Sequence, residues 1–72
     1  MQAREIRQLT TDEIMTRIEE SNRELFNLRQ DWYMGRLEDH NRLSAVKREI
    51  ARMKTILRER ELLEEMEEGG AV

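Results

Sequence analysis

The first half of the chain carries one apolar stripe with the period of an α-helix. Apolar or small residues recur three and four positions apart, which keeps them on one face. They are Ile14, Ile18, Ser21, Leu25, Leu28 and Trp32. Thr10 and Glu13 have the spacing of a capping box, and Gly35 stands where a left-handed residue commonly ends a helix. The pattern predicts a first helix over about 11–34.

The second half repeats the pattern with a new set of apolar positions. These are Leu43, Val46, Ile50, Met53 and Leu57. Asp39 can cap the start of this helix, which is predicted over about 40–66, after a turn at 35–39. Two helices that each have one apolar seam, joined by a short turn, pack as an antiparallel pair. The predicted fold is therefore all-α, a long antiparallel two-helix hairpin formed by 10–66.

The two ends of the chain lie outside this hairpin. Residues 1–9 are predicted to form a short N-terminal arm. An acidic C-terminal tail is predicted to be disordered over 67–72. Acidic side chains at a helix C-terminus oppose the helix dipole, and Gly69 and Gly70 favour termination of the helix.

Length and composition exclude several classes of function. A chain of 72 residues has little interior in which to enclose an active site, so an enzyme is not expected. With no cysteine and one histidine, the chain offers no metal site, and no cofactor is predicted. No apolar run approaches the roughly 20 residues that span a bilayer, and the first residues lack the features of an export signal. We therefore expect a cytoplasmic protein that binds neither a membrane nor a small-molecule substrate.

The net charge of −3 conceals an uneven distribution along the chain. Residues 36–60 carry eight basic and four acidic side chains, whereas 61–72 carry five acids and no base. On the outward face of the second helix, arginines alternate with small residues, which lets a phosphate backbone approach closely. The candidate contacts are Arg36, Arg42, Lys47, Arg48, Arg52, Lys54 and Arg58, with Arg4 and Arg7 as weaker ones. An ordinary solvated helix face remains the alternative.

A second apolar patch lies off the seam of the first helix. It comprises Phe26, Tyr33 and Met34. A two-helix hairpin cannot bury both faces, so this patch either contacts another molecule or is covered by the N-terminal arm through Ile6. The patch leaves open a different class of function, a coiled-coil adaptor that recruits a protein partner.

Four strings of residues resemble a known family. They are REIRQLT at 4–10, ELFNLR at 24–29, GRLED at 35–39 and REIARMKTILRERE at 48–61. Their order and spacing resemble large-subunit ribosomal protein twenty-nine of the bacterial type, a helical hairpin. Three features depart from the family pattern: the segment QDWYM at 30–34, the pair Asp39 and His40, and the acidic tail.

The resemblance implies a structural constituent of the large ribosomal subunit that binds 23S rRNA and supports translation. It places the protein near the polypeptide exit tunnel, beside ribosomal protein twenty-three, where nascent-chain chaperones and targeting factors dock. Matching basic positions imply rRNA contacts at Arg29, Arg48, Arg52, Lys54 and Arg58, while Arg36 follows the turn glycine of the family.

Overall fold

Three helices make up the part of the chain that the structure describes. The structure is a computed structural model that describes the backbone of residues 2–70 and the side chains of residues 2–67. The helices are α1 (Ala3–Arg7), α2 (Thr11–Tyr33) and α3 (His40–Gly70). Arg42 near the start of α3 pairs with Glu24, and Arg60 farther along bonds Thr11 at the start of α2, so α2 and α3 run antiparallel. The predicted all-α helical hairpin is confirmed.

Side-chain and backbone caps define both ends of α2. The amide of Glu13 donates to Thr10 Oγ1 at 3.2 Å, and the amide of Thr10 donates to Glu13 Oε1 at 3.4 Å, which is the predicted capping box. At the other end Gly35 has a φ of +70°. Its amide donates to the Trp32 carbonyl at 3.0 Å, and the next amide donates to the Asp31 carbonyl at 2.7 Å. This pair of bonds is a Schellman motif, so local sequence terminates the helix.

The third helix starts as predicted but ends later. Asp39 Oδ1 accepts a hydrogen bond from the Asn41 amide at 2.9 Å, the geometry of an N-cap. The helix was expected to end near residue 66 and to be followed by disorder over 67–72. Instead, α3 continues to Gly70, while residues 71 and 72 lie outside the described residues.

The core follows the predicted seam of α3, with one addition. Val46, Ile50 and Met53 are buried as expected. Ile56 was not assigned to the seam, yet it is only 3% exposed. Its burial depends on α1, because Ile6 is fully buried in one cluster with Ile14, Met53 and Ile56. The N-terminal arm is therefore packed on α3 and forms part of the core.

Arg60 joins the N-terminal arm to α3. Its Nη2 atom donates to the carbonyls of Arg7 at 3.1 Å and Leu9 at 2.8 Å, and its Nη1 atom donates to Thr11 Oγ1 at 3.2 Å. A guanidinium group can serve several acceptors at once because its donors are held in one plane. This side chain thus holds the connection between α1 and α2 against α3.

Trp32 does not pack in the helix seam, contrary to the prediction. It is 53% exposed. The register explains this result, because Glu24 already lies beside Arg42 and a residue eight positions further along α2 faces the connection before His40. The apolar spacing is maintained, but no facing helix remains to bury the indole ring.

Candidate nucleic-acid interface

The basic residues of α3 occupy the surface that the core leaves uncovered. Lys47, Lys54 and Arg58 are separated by seven and four positions and so lie along one flank of the helix. Arg48 and Arg52 are four positions apart and lie on its outer face. All five side chains are exposed. The helix therefore presents two adjacent basic rows, called here the flank row and the outer row.

Arg29, Arg36 and Arg42 lie near the turn of the hairpin. All three are exposed, but two of them have acidic neighbours. Arg42 donates to Glu24 Oε1 from Nε at 2.6 Å and from Nη2 at 2.5 Å, while Arg36 Nη2 lies 3.9 Å from Asp31 Oδ1. The Arg42 pair crosses from α3 to α2, so it also supports the hairpin. The structure places these residues at one end of the molecule and does not bring them into one cluster with the outer row.

The ion pair of Arg58 leaves its guanidinium group accessible. Arg58 Nη1 lies 3.0 Å from Glu61 Oε2, and both side chains are 61% exposed. Exposed pairs of this kind contribute roughly 0–1 kcal/mol to stability. A phosphate can therefore replace the carboxylate as the partner of Arg58 at little cost in folding free energy.

A shallow groove runs between α1 and the outer row. Residues of α1 and α3 line it, namely Ala3, Arg7, Ala51, Arg52, Thr55, Ile56 and Glu59. The Thr55 hydroxyl donates to the Ala51 carbonyl at 2.8 Å, which holds that side chain down against the helix. The small side chains beside Arg7 and Arg52 allow a polyanion backbone to approach the helix closely, and the Glu59 carboxylate in the same lining is paired with Arg7.

Arg7 is only a weak candidate from the sequence, because two arginines on the arm are little evidence of a phosphate contact. The docking of α1 brings Arg7 Nη2 to 3.9 Å from Glu59 Oε2 on α3, and Arg7 lines the same groove as Arg52. The only signal in the sequence was the apolar residue Ile6 next to it. Arg60, by contrast, is basic but turns toward the backbone of the arm.

The patch of Phe26, Tyr33 and Met34 remains on the surface. These side chains are 61%, 83% and 64% exposed. The suggested cover by the N-terminal arm is wrong, because Ile6 packs against α3 instead. Trp32 extends the patch, with its ring 5.7 Å from that of Tyr33. This apolar surface lies at the turn end of the hairpin.

Neither a metal-binding cluster nor a membrane-spanning helix occurs among the described residues. No group of three or more His, Cys, Asp or Glu side chains that could hold a metal ion occurs there. The lone histidine, His40, is exposed at the start of α3. None of the described helices is long and apolar enough to cross a membrane. The feature that remains is the arginine- and lysine-rich surface of α3, whose chemistry suits phosphate groups.

Comparison with known proteins places this surface in a family context. A family profile described as "Ribosomal L29 protein" matches residues 4–60. The protein named "Large ribosomal subunit protein uL29" from Thermosipho melanesiensis is 53% identical over 62 residues, which cover 86% of this chain and 94% of that protein. The protein of the same name from Geobacillus stearothermophilus is 55% identical over 62 residues, which cover 86% of this chain and 94% of that protein. A third, from Corynebacterium urealyticum, is 50% identical over 68 residues, or 94% of this chain and 88% of that protein.

Proposed function

The chain belongs to the ribosomal L29 protein family, and from this premise we propose that it is a structural constituent of the large ribosomal subunit. The observation that carries the proposal is the match over residues 4–60, which includes the starts of α2 and α3 and both basic rows. The protein would then be ribosome-bound in the cytoplasm. This is not a family of enzymes, and the proposed role is non-catalytic.

The flank row and the outer row of α3 are the surfaces that we propose for rRNA. Cationic side chains that contact phosphates supply most of the sequence-independent affinity of proteins for nucleic acids. Support comes from the exposure of these side chains and from the small residues between them. The proposed contacts are Arg29, Arg36, Arg42, Lys47, Arg48, Arg52, Lys54 and Arg58. Arg7 is included with them because it lines the same groove as Arg52.

The proposal has a finer part that concerns location. By the family resemblance, the protein binds 23S rRNA near the polypeptide exit tunnel, beside ribosomal protein twenty-three. Its exposed patch of Phe26, Tyr33 and Met34 would then be available to that neighbour or to a nascent-chain chaperone or targeting factor. Nothing in the comparisons supports the coiled-coil adaptor, which is not proposed further.

Filter binding of the full-length protein to large-subunit rRNA fragments tests the role of the outer row. Affinity should fall as salt rises, because binding releases counterions from the phosphates. Changing Arg48→Glu and Arg52→Glu together should weaken binding at every salt concentration and reduce the slope of log K against log salt by about two.

The matched control carries Arg17→Glu and Arg23→Glu on α2. It has the same net charge, but its changes lie outside the proposed surface. The control should retain a larger salt slope and a higher affinity than the outer-row variant. Equal losses in the two variants would show that only net charge matters, and a wild-type slope near zero would exclude phosphate contacts altogether.

A further inference from the structure

The last part of α3 projects beyond the rest of the hairpin. Arg60 is hydrogen-bonded to Thr11, the first residue of α2. The helix nevertheless continues to Gly70, so ten residues extend past the start of α2, about 15 Å at 1.5 Å per residue. This segment, residues 61–70, is called the overhang. It also begins where the family match of residues 4–60 ends.

The overhang carries an apolar stripe that faces solvent. Leu62 and Met66 are four positions apart, and Leu63 precedes Met66 by three, so the three side chains share one side of the helix. Leu62 is 43% exposed, Leu63 is 58% exposed and Met66 is 70% exposed. Single exposed apolar residues need no explanation, but three together on one side form a contiguous surface of the kind that binds a partner.

Acidic side chains border this stripe on both sides. With about 100° between successive residues, Glu65 lies about 60° beyond Leu62 on one border, and Glu67 lies about 40° beyond Leu63 on the other. Glu61 and Glu64 complete the acidic set among the described side chains, and all four are exposed. Residues 61–72 contain no lysine or arginine. A surface complementary to the overhang therefore has an apolar centre and basic rims.

The helical state of the overhang is itself electrostatically unfavourable. Carboxylates near a helix C-terminus oppose the helix dipole, and Glu61 and Glu65 place like charges four positions apart. Cations placed along both borders would relieve both effects. Phosphate backbones and anionic lipid surfaces would add to the repulsion, so neither is a suitable partner. A second copy of the chain offers basic rows only on surfaces that the proposed function assigns to rRNA.

We propose that the overhang docks into a groove on a basic protein neighbour within the large ribosomal subunit, with Leu62, Leu63 and Met66 on the floor of the groove and lysines or arginines along its rims. This is the mode in which an amphipathic helix lies in an apolar groove. The inference rests on the proposed function, because the neighbour is a component of the same subunit. The chain then contacts RNA through the middle of α3 and protein through its end.

Binding to two targets separates this protein contact from the RNA contact. One target is the large ribosomal subunit stripped of this protein, and the other is protein-free large-subunit rRNA. The full-length variant L62A/L63A/M66A keeps helix-forming residues at all three positions. It should bind stripped subunits about tenfold more weakly, a change of about 1.4 kcal/mol, and bind free rRNA as the wild type does. The control M15A removes an exposed apolar side chain from α2 and should bind both targets normally.

A second variant, E64Q/E65Q/E67Q, tests the basic rims. It should also weaken binding to stripped subunits and make that binding less sensitive to salt. Unchanged binding of both variants to stripped subunits would overturn the inference, as would an equal loss on free rRNA. A change in the oligomeric state of L62A/L63A/M66A in sedimentation would assign the stripe to a second copy and would also overturn it. If the wild type bound neither target, the proposed function would fail first, and the inference with it.

Discussion

Gly35 is the residue at which the hairpin changes direction. Its φ of +70° lies in the left-handed region, and a Cβ atom built there would meet no heavy atom within 4 Å. The requirement for glycine is therefore set by the backbone conformation and not by crowding. A glycine directly after a helical pattern indicates the end of the helix, so this feature could be predicted from the sequence.

Changing Gly35→Ala should lower the free energy of unfolding by about 1 kcal/mol, since only the left-handed backbone conformation is penalised. Urea unfolding followed by circular dichroism at 222 nm measures this effect. Gly35→Asn is the matched control and should cost less, because asparagine tolerates this conformation better. Equal stability of the alanine variant and the wild type would contradict the assignment.

Individual basic residues could be identified from the sequence, but their surroundings could not. Arg48, Arg52, Lys54 and Arg58 follow from the helical period and from the family strings, and all are exposed. Arg60 belongs to the same string, yet it bonds the backbone of the N-terminal arm. The difference arises because the position of the arm depends on contacts between residues about 50 positions apart, which no local pattern encodes.

Among the helices, α1 shows how a short element depends on its neighbours. Five residues are too few to form a stable helix alone, because nucleation is costly. Its main supports are Ile6, which inserts beside Met53 and Ile56, and Arg60, which binds the carbonyls of Arg7 and Leu9. The helix α1 in turn brings Arg7 to the groove on α3.

Removing the guanidinium group of Arg60 should loosen α1 without removing its apolar contact. Arg60→Met keeps much of the aliphatic stem and abolishes three hydrogen bonds, so a loss of about 1–2 kcal/mol in the free energy of unfolding is expected. Amide hydrogen exchange should accelerate in α1 more than in the middle of α2.

The control for this experiment is Arg58→Met. Arg58 pairs with the exposed carboxylate of Glu61 about one turn away, and such pairs contribute little to stability. Its amide exchange in α1 should match that of the wild type. Equal acceleration in the two variants would mean that Arg60 does not specifically hold the arm.

The whole molecule is a thin rod with charge separated along its length. It measures 56 × 20 × 16 Å. Among the side chains that the structure describes, six apolar ones form the buried core, which are Ile6, Ile14, Val46, Ile50, Met53 and Ile56. The free energy gained by burying a core of this size exceeds the cost of the conformational entropy lost on folding by only a small amount. Binding to a partner would add stability by mass action. The shape suits a brace whose second surface is supplied by another molecule.

The free protein should therefore melt at or below about 65 °C, within or under the range of ordinary mesophilic domains. Circular dichroism at 222 nm on the isolated chain measures the midpoint, and a large-subunit rRNA fragment in excess should raise it. A cooperative transition of the free chain above about 70 °C would contradict the expectation of marginal stability. An unchanged midpoint with bound rRNA would show that binding does not favour the folded hairpin.

The sequence by itself determined α2 with its caps, the start of α3, most of the seam and the basic character of α3. These features depend on spacing and capping within a few residues, so local physical chemistry decides them. Tertiary structure alone decided the docking of α1, the burial of Ile56, the inward turn of Arg60 and the exposure of Trp32. Each of these depends on which segment faces which across the hairpin, and helical periodicity does not specify that register.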